Sequence, residues 1–289
     1  MPSPLVRRID HVVSLVHDAG AALQACTRLG FPLSWALERQ DAGWTNGAVW
    51  LGDCSLEFLT PDDAGAGPGA RFFTQALERG GPGTFMLALE ATAYGKALAA
   101  VRAAGALASV YESPVAPGAR SYRSAFLTRG ATPGVQSFLC EYDPPFVPVD
   151  GGRGALNVKK LDHVIIATED LEDALRLWER NVGLKEDTTL EHPLGAGFKA
   201  ARLPVGESFL ELVQPEAPEG RFYEQVQERG EGLFSVSVEV DDLDEAVRYL
   251  REKGATVSDP EASIWPGARL ARINHHSTHG VSIQLIERR

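Results

Sequence analysis

The chain has 289 residues, 44% hydrophobic and 23% charged, the balance of a globular protein with room for two domains. Its 28 Lys and Arg stand against 39 Asp and Glu, a formal charge of −11 that argues against nucleic acid or a membrane surface as partner. No apolar run approaches the ~20 residues that span a bilayer, and the opening "MPSPLVRRID" has no apolar segment of signal type, so a cytoplasmic location is expected.

In chain order, "IDHVVSLV" (9–16) alternates as a strand and sets Ile9, His11, Val13 and Leu15 on one face. "CSLEFLTP" carries Glu57 on a further strand, and "RFFTQALERG" (71–80) has apolar and aromatic residues at helical spacing. "GTFMLALE" (83–90) then opens a second unit, with its helix in "YGKALAAVRAAG". The stretch "DPPFVPVDGGRGALN" (143–157) is rich in Pro and Gly and reads as a linker. This divides the chain into domain 1–145, linker 146–157 and domain 158–289. The three cysteines, Cys26, Cys54 and Cys140, are odd in number and lack metal-type spacing; reduced thiols are expected, with Cys26 and Cys54 buried.

In the second half "LDHVIIAT" (161–168) is a strand with His163 third, and "DLEDALRLWERNVG" is a helix with Leu171, Ala174, Leu175 and Trp178 on one stripe. Strands are expected near 184–190, 198–204 and 208–213, followed by a helix over 221–229. The order then returns. Strand "LFSVSVEV" (233–240) leads to helix "LDEAVRYLREKG" with Gly254 closing it, then strands near 255–258, 269–274 and 281–286.

The chain therefore repeats itself. "RFFTQALERG" matches "RFYEQVQERG" (221–230), "PGAR" recurs at 117–120 and 266–269, and Glu57 matches Glu211 in "SFLELVQP". Each half holds two β-α-β-β-β units. Counting back seven residues from Asp170 and Asp242 aligns His163 with Ser235, and the same register aligns His11 with Met86. On the closing strands Glu57 and Glu211 align with Phe138 and Gln284.

The "DHV" strand openings, the "LE(F/L)" closing strands and "FYEQVQERGEGLFSVSVEVDDLDEA" (222–246) resemble the vicinal oxygen chelate superfamily. That group includes glyoxalase I, methylmalonyl-CoA epimerase, bleomycin-resistance proteins and type I extradiol dioxygenases. The last segment is similar to the epimerase branch, and "GWTNGAVWLGDCSLEFLTPD" (43–62) to less characterised glyoxalase-like families. The resemblance implies an α+β fold of four β-α-β-β-β units, paired into two half-open eight-stranded barrels. It also implies that first and last strands aim ligands for one divalent metal (Zn, Ni, Co, Mn or Fe) into each cup. The second cup would hold His163, Glu211, Ser235 and Gln284; the first would hold His11, Glu57, Met86 and Phe138.

The departures carry weight. The epimerase pattern places histidine at 235, both it and the dioxygenases place glutamate at 284, and the dioxygenases want tyrosine where Asn274 stands. Ring cleavage needs two histidines and a carboxylate on Fe(II), so extradiol chemistry is disfavoured. His163 and Glu211, with Gln284 as a weak third ligand, remain the metal candidates, against the reading that they survive as a polar pair without metal. His11 and Glu57 would make the first cup the vestigial one of the two, and its carboxylate needs His11 or a backbone donor. Units one and four could also pair across the domains.

Of the remaining features, "NHHSTHG" (274–280) carries His275, His276 and His279 and reads first as a solvated loop, second as a proton shuttle through His276. Trp265, opposite Ala116 in the repeat, is a candidate pocket wall, and Ser235 and Asn274 are candidate ligand contacts. The expected activity is a metal-assisted isomerase or lyase on a small carbonyl or acyl substrate, with Glu211 or a loop histidine moving the proton. The alternative is a metal-free protein that sequesters a small molecule. A monomer or homodimer is expected.

Overall fold

The computed structural model describes residues 5–63, 67–113, 121–143 and 154–289. The first half runs β1 (Val6–Leu15), α1 (Ala19–Arg28), β2 (Leu33–Gln40), β3 (Trp44–Trp50), β4 (Ser55–Pro61), α2 (Pro68–Gly80), β5 (Gly83–Ala91), α3 (Tyr94–Ala103), β6 (Leu107–Glu112), β7 (Ser121–Leu127) and β8 (Gln136–Asp143). The second runs β9 (Val158–Ala167), α4 (Leu171–Val182), β10 (Thr188–Glu191), β11 (Phe198–Val205), β12 (Ser208–Pro215), α5 (Arg221–Arg229), β13 (Gly232–Val240), α6 (Leu243–Glu252), β14 (Glu261–Ala262), β15 (Ala268–Ile273) and β16 (Ile283–Arg288).

Two eight-stranded curled half-barrel sheets result, ordered β2-β3-β4-β1-β5-β8-β7-β6 and β10-β11-β12-β9-β13-β16-β15-β14. The second order is the first shifted by eight strands, so each sheet is one β-α-β-β-β pair and the fold is α+β with duplicated halves. Among the described residues no helix is long and apolar enough to cross a membrane.

Helix starts fix the repeat register. The Asp18, Asp170 and Asp242 carboxylates each accept the N–H three residues on, at 2.9 Å, closing the first turn of α1, α4 and α6. Ala93 takes the same place before α3 and makes no side-chain cap. Seven residues before these four lie His11, His163, Ser235 and Met86, the positions that the sequence aligned. Beyond α6, Gly254 at φ 86 follows the cap Lys253, and its N–H reaches the Arg251 carbonyl.

By its contacts the chain falls into two compact units. One comprises Met1–His11, Met86–Val147 and Ile165–Leu233; the other Val12–Phe85, Pro148–Val164 and Phe234–Arg289. In the first unit, buried Trp178 and Asn181 of α4 donate to the carbonyls of Pro133 and Ala131, at 3.3 and 2.8 Å. In the second, the Asp53 carboxylate accepts the Leu161 N–H at 2.9 Å.

Three expectations shift. The strand near 255–258 is reduced to one bridge, Val257 to Ile273, followed by the two-residue β14. Pro260 between them has no N–H to offer a ladder. The strand expected from 184 starts at Thr188. The 274–280 loop contains a turn of 3-10 helix, His275–Thr278, capped by the Asn274 side chain. The expected linker lies largely outside the described residues, as do Ala116 and the first "PGAR".

Candidate functional site

The last two strands of the second sheet show which face is which. β15 and β16 pair antiparallel with Arg269 opposite Glu287, Leu270 opposite Ile286 and Arg272 opposite Gln284. Opposed residues share a face and neighbours alternate. Arg269 reaches Asp244 on α6 at 3.0 Å, so its face is the helical one. Arg272, Gln284, Leu270 and Ile286 therefore belong to the inner face, where Ala268, Leu270 and Ile286 form a buried cluster.

Gln284 is 1% exposed and its carboxamide is engaged there. Its Nε2 donates to the Ser235 Oγ at 3.3 Å, and the Ser237 Oγ donates to its Oε1 at 3.5 Å. Both serines are fully buried on β13. Two sequence-predicted site residues, Ser235 and Gln284, thus meet as a neutral hydrogen-bonded pair.

His163 lies buried on β9, its Nδ1 2.6 Å from the Asp162 Oδ1. Arg288 grips the same carboxylate with Nε to Oδ2 at 2.5 Å and Nη2 to Oδ1 at 2.8 Å. Burial opposes the charge on Asp162, yet the hydrogen bonds and charges of Arg288 and His163 outweigh it and hold the carboxyl well below its ordinary range. An ionised carboxylate only accepts, so the His163 Nδ1 is the donor of this bond.

The first sheet repeats the pair with different surroundings. The buried His11 Nδ1 lies 2.7 Å from the Asp10 Oδ2, and the Arg8 Nη2 donates to the Asp10 Oδ1 at 2.6 Å. Burial raises the Asp10 pKa, but His11 and Arg8 bring it below the ordinary value. Arg7 and Arg8 also both reach Glu90. The His11 ring stands edge-on to Phe138 at 5.5 Å, and Phe138 lies 4.9 Å from Phe126. First-strand histidine and last-strand residue therefore meet on one face of this sheet; in the second sheet the same two positions are His163 and Gln284.

Glu57 and Glu211 are buried at matching places on β4 and β12, opposite Ala48 and Arg202. Glu57 accepts from the Asn46 Nδ2 at 2.7 Å. The sequence reading missed this donor, although Asn46 lies two residues from Ala48 on the same strand face. Arg202 forks onto Asp187 at 2.7 and 2.8 Å.

Trp265 is 3% exposed, its backbone N–H on the Ser263 Oγ. His275, His276 and His279 are exposed, and Asn274 accepts the His276 backbone N–H at 3.0 Å, so the structure joins these two in a surface turn. A further group missed in the sequence is Glu191, His192 and Glu216, exposed and with ligating atoms within 4.8 Å of one another. Lys199 lies 3.0 Å from Glu216 and 3.5 Å from Glu191 and offsets part of their charge.

The donor set decides whether a metal suits the second cup. Catalytic sites use three strong protein ligands and an open position. His163 and Glu211 would be two; Ser235 and Gln284 are neutral and hydrogen-bonded to each other. The residues present do not fit a tightly held catalytic metal.

No curated protein matches the chain by sequence. By structure it is similar to a triple mutant of 4-hydroxymandelate synthase from Streptomyces coelicolor, with 17% identity, 99% of this chain and 93% of that chain covered, and TM-score 0.75. That likeness is one of fold. Half-length matches include a hypothetical protein from Bacillus halodurans (30% identity, 45% and 94% covered, TM-score 0.43) and methylmalonyl-CoA epimerase from Mycobacterium tuberculosis (25%, 47% and 91%, 0.44). Residues 9–160 match the family described as "Glyoxalase-like domain", and residues 162–271 the family described as "Glyoxalase/Bleomycin resistance protein/Dioxygenase superfamily". With two duplicated half-barrels and these matches along most of its length, the chain belongs to the glyoxalase/bleomycin resistance/dioxygenase superfamily.

Proposed function

We propose that the inner face of the second sheet is a small-molecule site that works without a resident catalytic metal, in a binding or sequestering protein. The observation that carries this reading is the hydrogen bond between Gln284 and Ser235. It turns two ligand positions into a neutral pair, and a neutral oxygen holds a divalent ion far more weakly than a carboxylate or imidazole. His163 is assigned to the same site. Metal analysis of tag-free protein tests the reading. Metal well below one equivalent supports it; one equivalent of Zn, Ni, Co, Mn or Fe surviving dialysis contradicts it.

A second reading is an isomerase or lyase acting on a small carbonyl or acyl substrate, with Glu211 moving the proton. The pair of Asp162 and His163 favours it, since an imidazole oriented by a clamped carboxylate is suited to hold or pass a proton. Wash-out of the proton next to the carbonyl into deuterated water, followed by NMR, tests it. Wash-out abolished in Glu211→Gln supports the enzyme; no wash-out from any small acyl compound leaves the binding protein.

A further inference from the structure

We propose that the ligand of the second sheet's inner face carries a carboxylate and that Arg272 recognises it. This deepens the small-molecule reading above and rests on it.

The repeat supplies the argument. Four inner-face positions on the strands of the fourth unit hold Ser235, Ser237, Gln284 and Arg272. Their counterparts in the first sheet are Met86, Ala88, Phe138 and Phe126, with Phe126 opposite Phe138 as Arg272 is opposite Gln284. One copy of the duplicated fold thus closes this region with apolar side chains, and the other fills it with hydrogen-bond donors. Burying polar groups is unfavourable unless they are paired, and a packed apolar face is an available solution in the same fold. Ser235, Ser237 and Gln284 pair with one another, so the donor left over is the Arg272 Nε, and it points to a ligand.

The chemistry of the set selects the ligand's charge. Ser235, Ser237 and Gln284 bond one another, whereas the Arg272 guanidinium only donates and is permanently positive. A guanidinium complements an anion and opposes a cation. Arg272 is about one-third exposed at its side chain, and its Nη1 lies 2.5 Å from the exposed Glu261 carboxylate. Its Nε is buried and has no hydrogen-bond partner among the described residues. Leaving a buried donor unmade is expensive, and the Nε edge of a guanidinium matches a planar carboxylate in two-pronged fashion. One guanidinium whose charge Glu261 already shares suits a singly charged carboxylate better than a doubly charged phosphate.

Titration calorimetry with pyruvate, propionate and benzoate, each beside its neutral primary amide, tests the proposal on the full chain. Inorganic phosphate is the comparison anion. The wild type binds at least one carboxylate tenfold or more tighter than its amide and tighter than phosphate. Arg272→Met loses that discrimination, and Arg272→Lys recovers part of it. Glu261→Gln, a change on an exposed side chain, frees the guanidinium and raises carboxylate affinity several-fold. Equal affinity for acid and amide, phosphate binding above every carboxylate, or discrimination that survives in Arg272→Met overturns the proposal. Amides that bind with no carboxylate preference leave the small-molecule site standing and remove only the anion. If no probe binds the folded wild type, both fall.

Discussion

Replacing Arg288 with Met isolates the clamp behind His163. Asp162 is 3% exposed and accepts two bonds from Arg288, whose own side chain is 30% exposed. Removing one member of a buried pair typically costs ~3–5 kcal/mol. Partial solvation of Arg288, and the bond to His163 that remains, reduce the expected loss to about 2 kcal/mol at pH 7. The pH dependence follows from the depressed Asp162 pKa. A carboxyl that ionises more readily folded than unfolded adds stability above its unfolded pKa of about 4, and that contribution fades as pH falls toward the folded value. The stability gap between wild type and Arg288→Met is therefore full at pH 5–7 and narrows below about pH 4. Guanidinium denaturation at a series of pH values reads it. Equal stability of the two proteins at pH 7, or a gap that is unchanged at pH 3, would refute the clamp.

In the first sheet His11→Ala removes both the bond to Asp10 and the edge contact with Phe138, and should destabilise by about 1–3 kcal/mol in the same denaturation assay, while ligand binding is retained. Unchanged stability with lost binding would move the working site to the first sheet. All three cysteines are buried thiols, and burial pushes the Cys26 thiol up to about 12 and the Cys140 thiol well above its ordinary value. Native protein should therefore stay inert to a chromogenic disulfide reagent at pH 8, and three thiols should titrate in denaturant. A fast-reacting thiol in native protein would contradict that packing.

How much of this was legible in the sequence depended on the range of each signal. The four units were readable because Asp18, Asp170 and Asp242 cap helices at a fixed distance from the first strand, and alternation then placed His11 and His163. The partners were not readable. Arg288 and Asp162 are 126 residues apart and meet only when β16 enters the sheet beside β13. The first copy clamps Asp10 from Arg8 on its own strand, and Tyr142 stands where Arg288 would be, so the repeat gives no hint of the second clamp. Arg272 reads as an ordinary solvent-facing residue of an alternating strand until the register puts it opposite Gln284. The loop histidines were legible from their local sequence. The run reads first as a solvated loop, and "NHHST" is a capped surface turn, which a short polar run next to a strand end forms readily.

The central claim is that the second cup fell short of a metal site at Ser235 and Gln284. Titration calorimetry with Zn and Co on the wild type and on the double variant Ser235→His with Gln284→Glu tests it directly. The variant adds an imidazole and a carboxylate where two neutral groups now bond each other. Strong ligands on a rigid sheet add to the binding energy, so affinity should rise by about two orders of magnitude or more over a weak wild type. Tight one-to-one binding by the wild type, or no gain in a folded double variant, would contradict it.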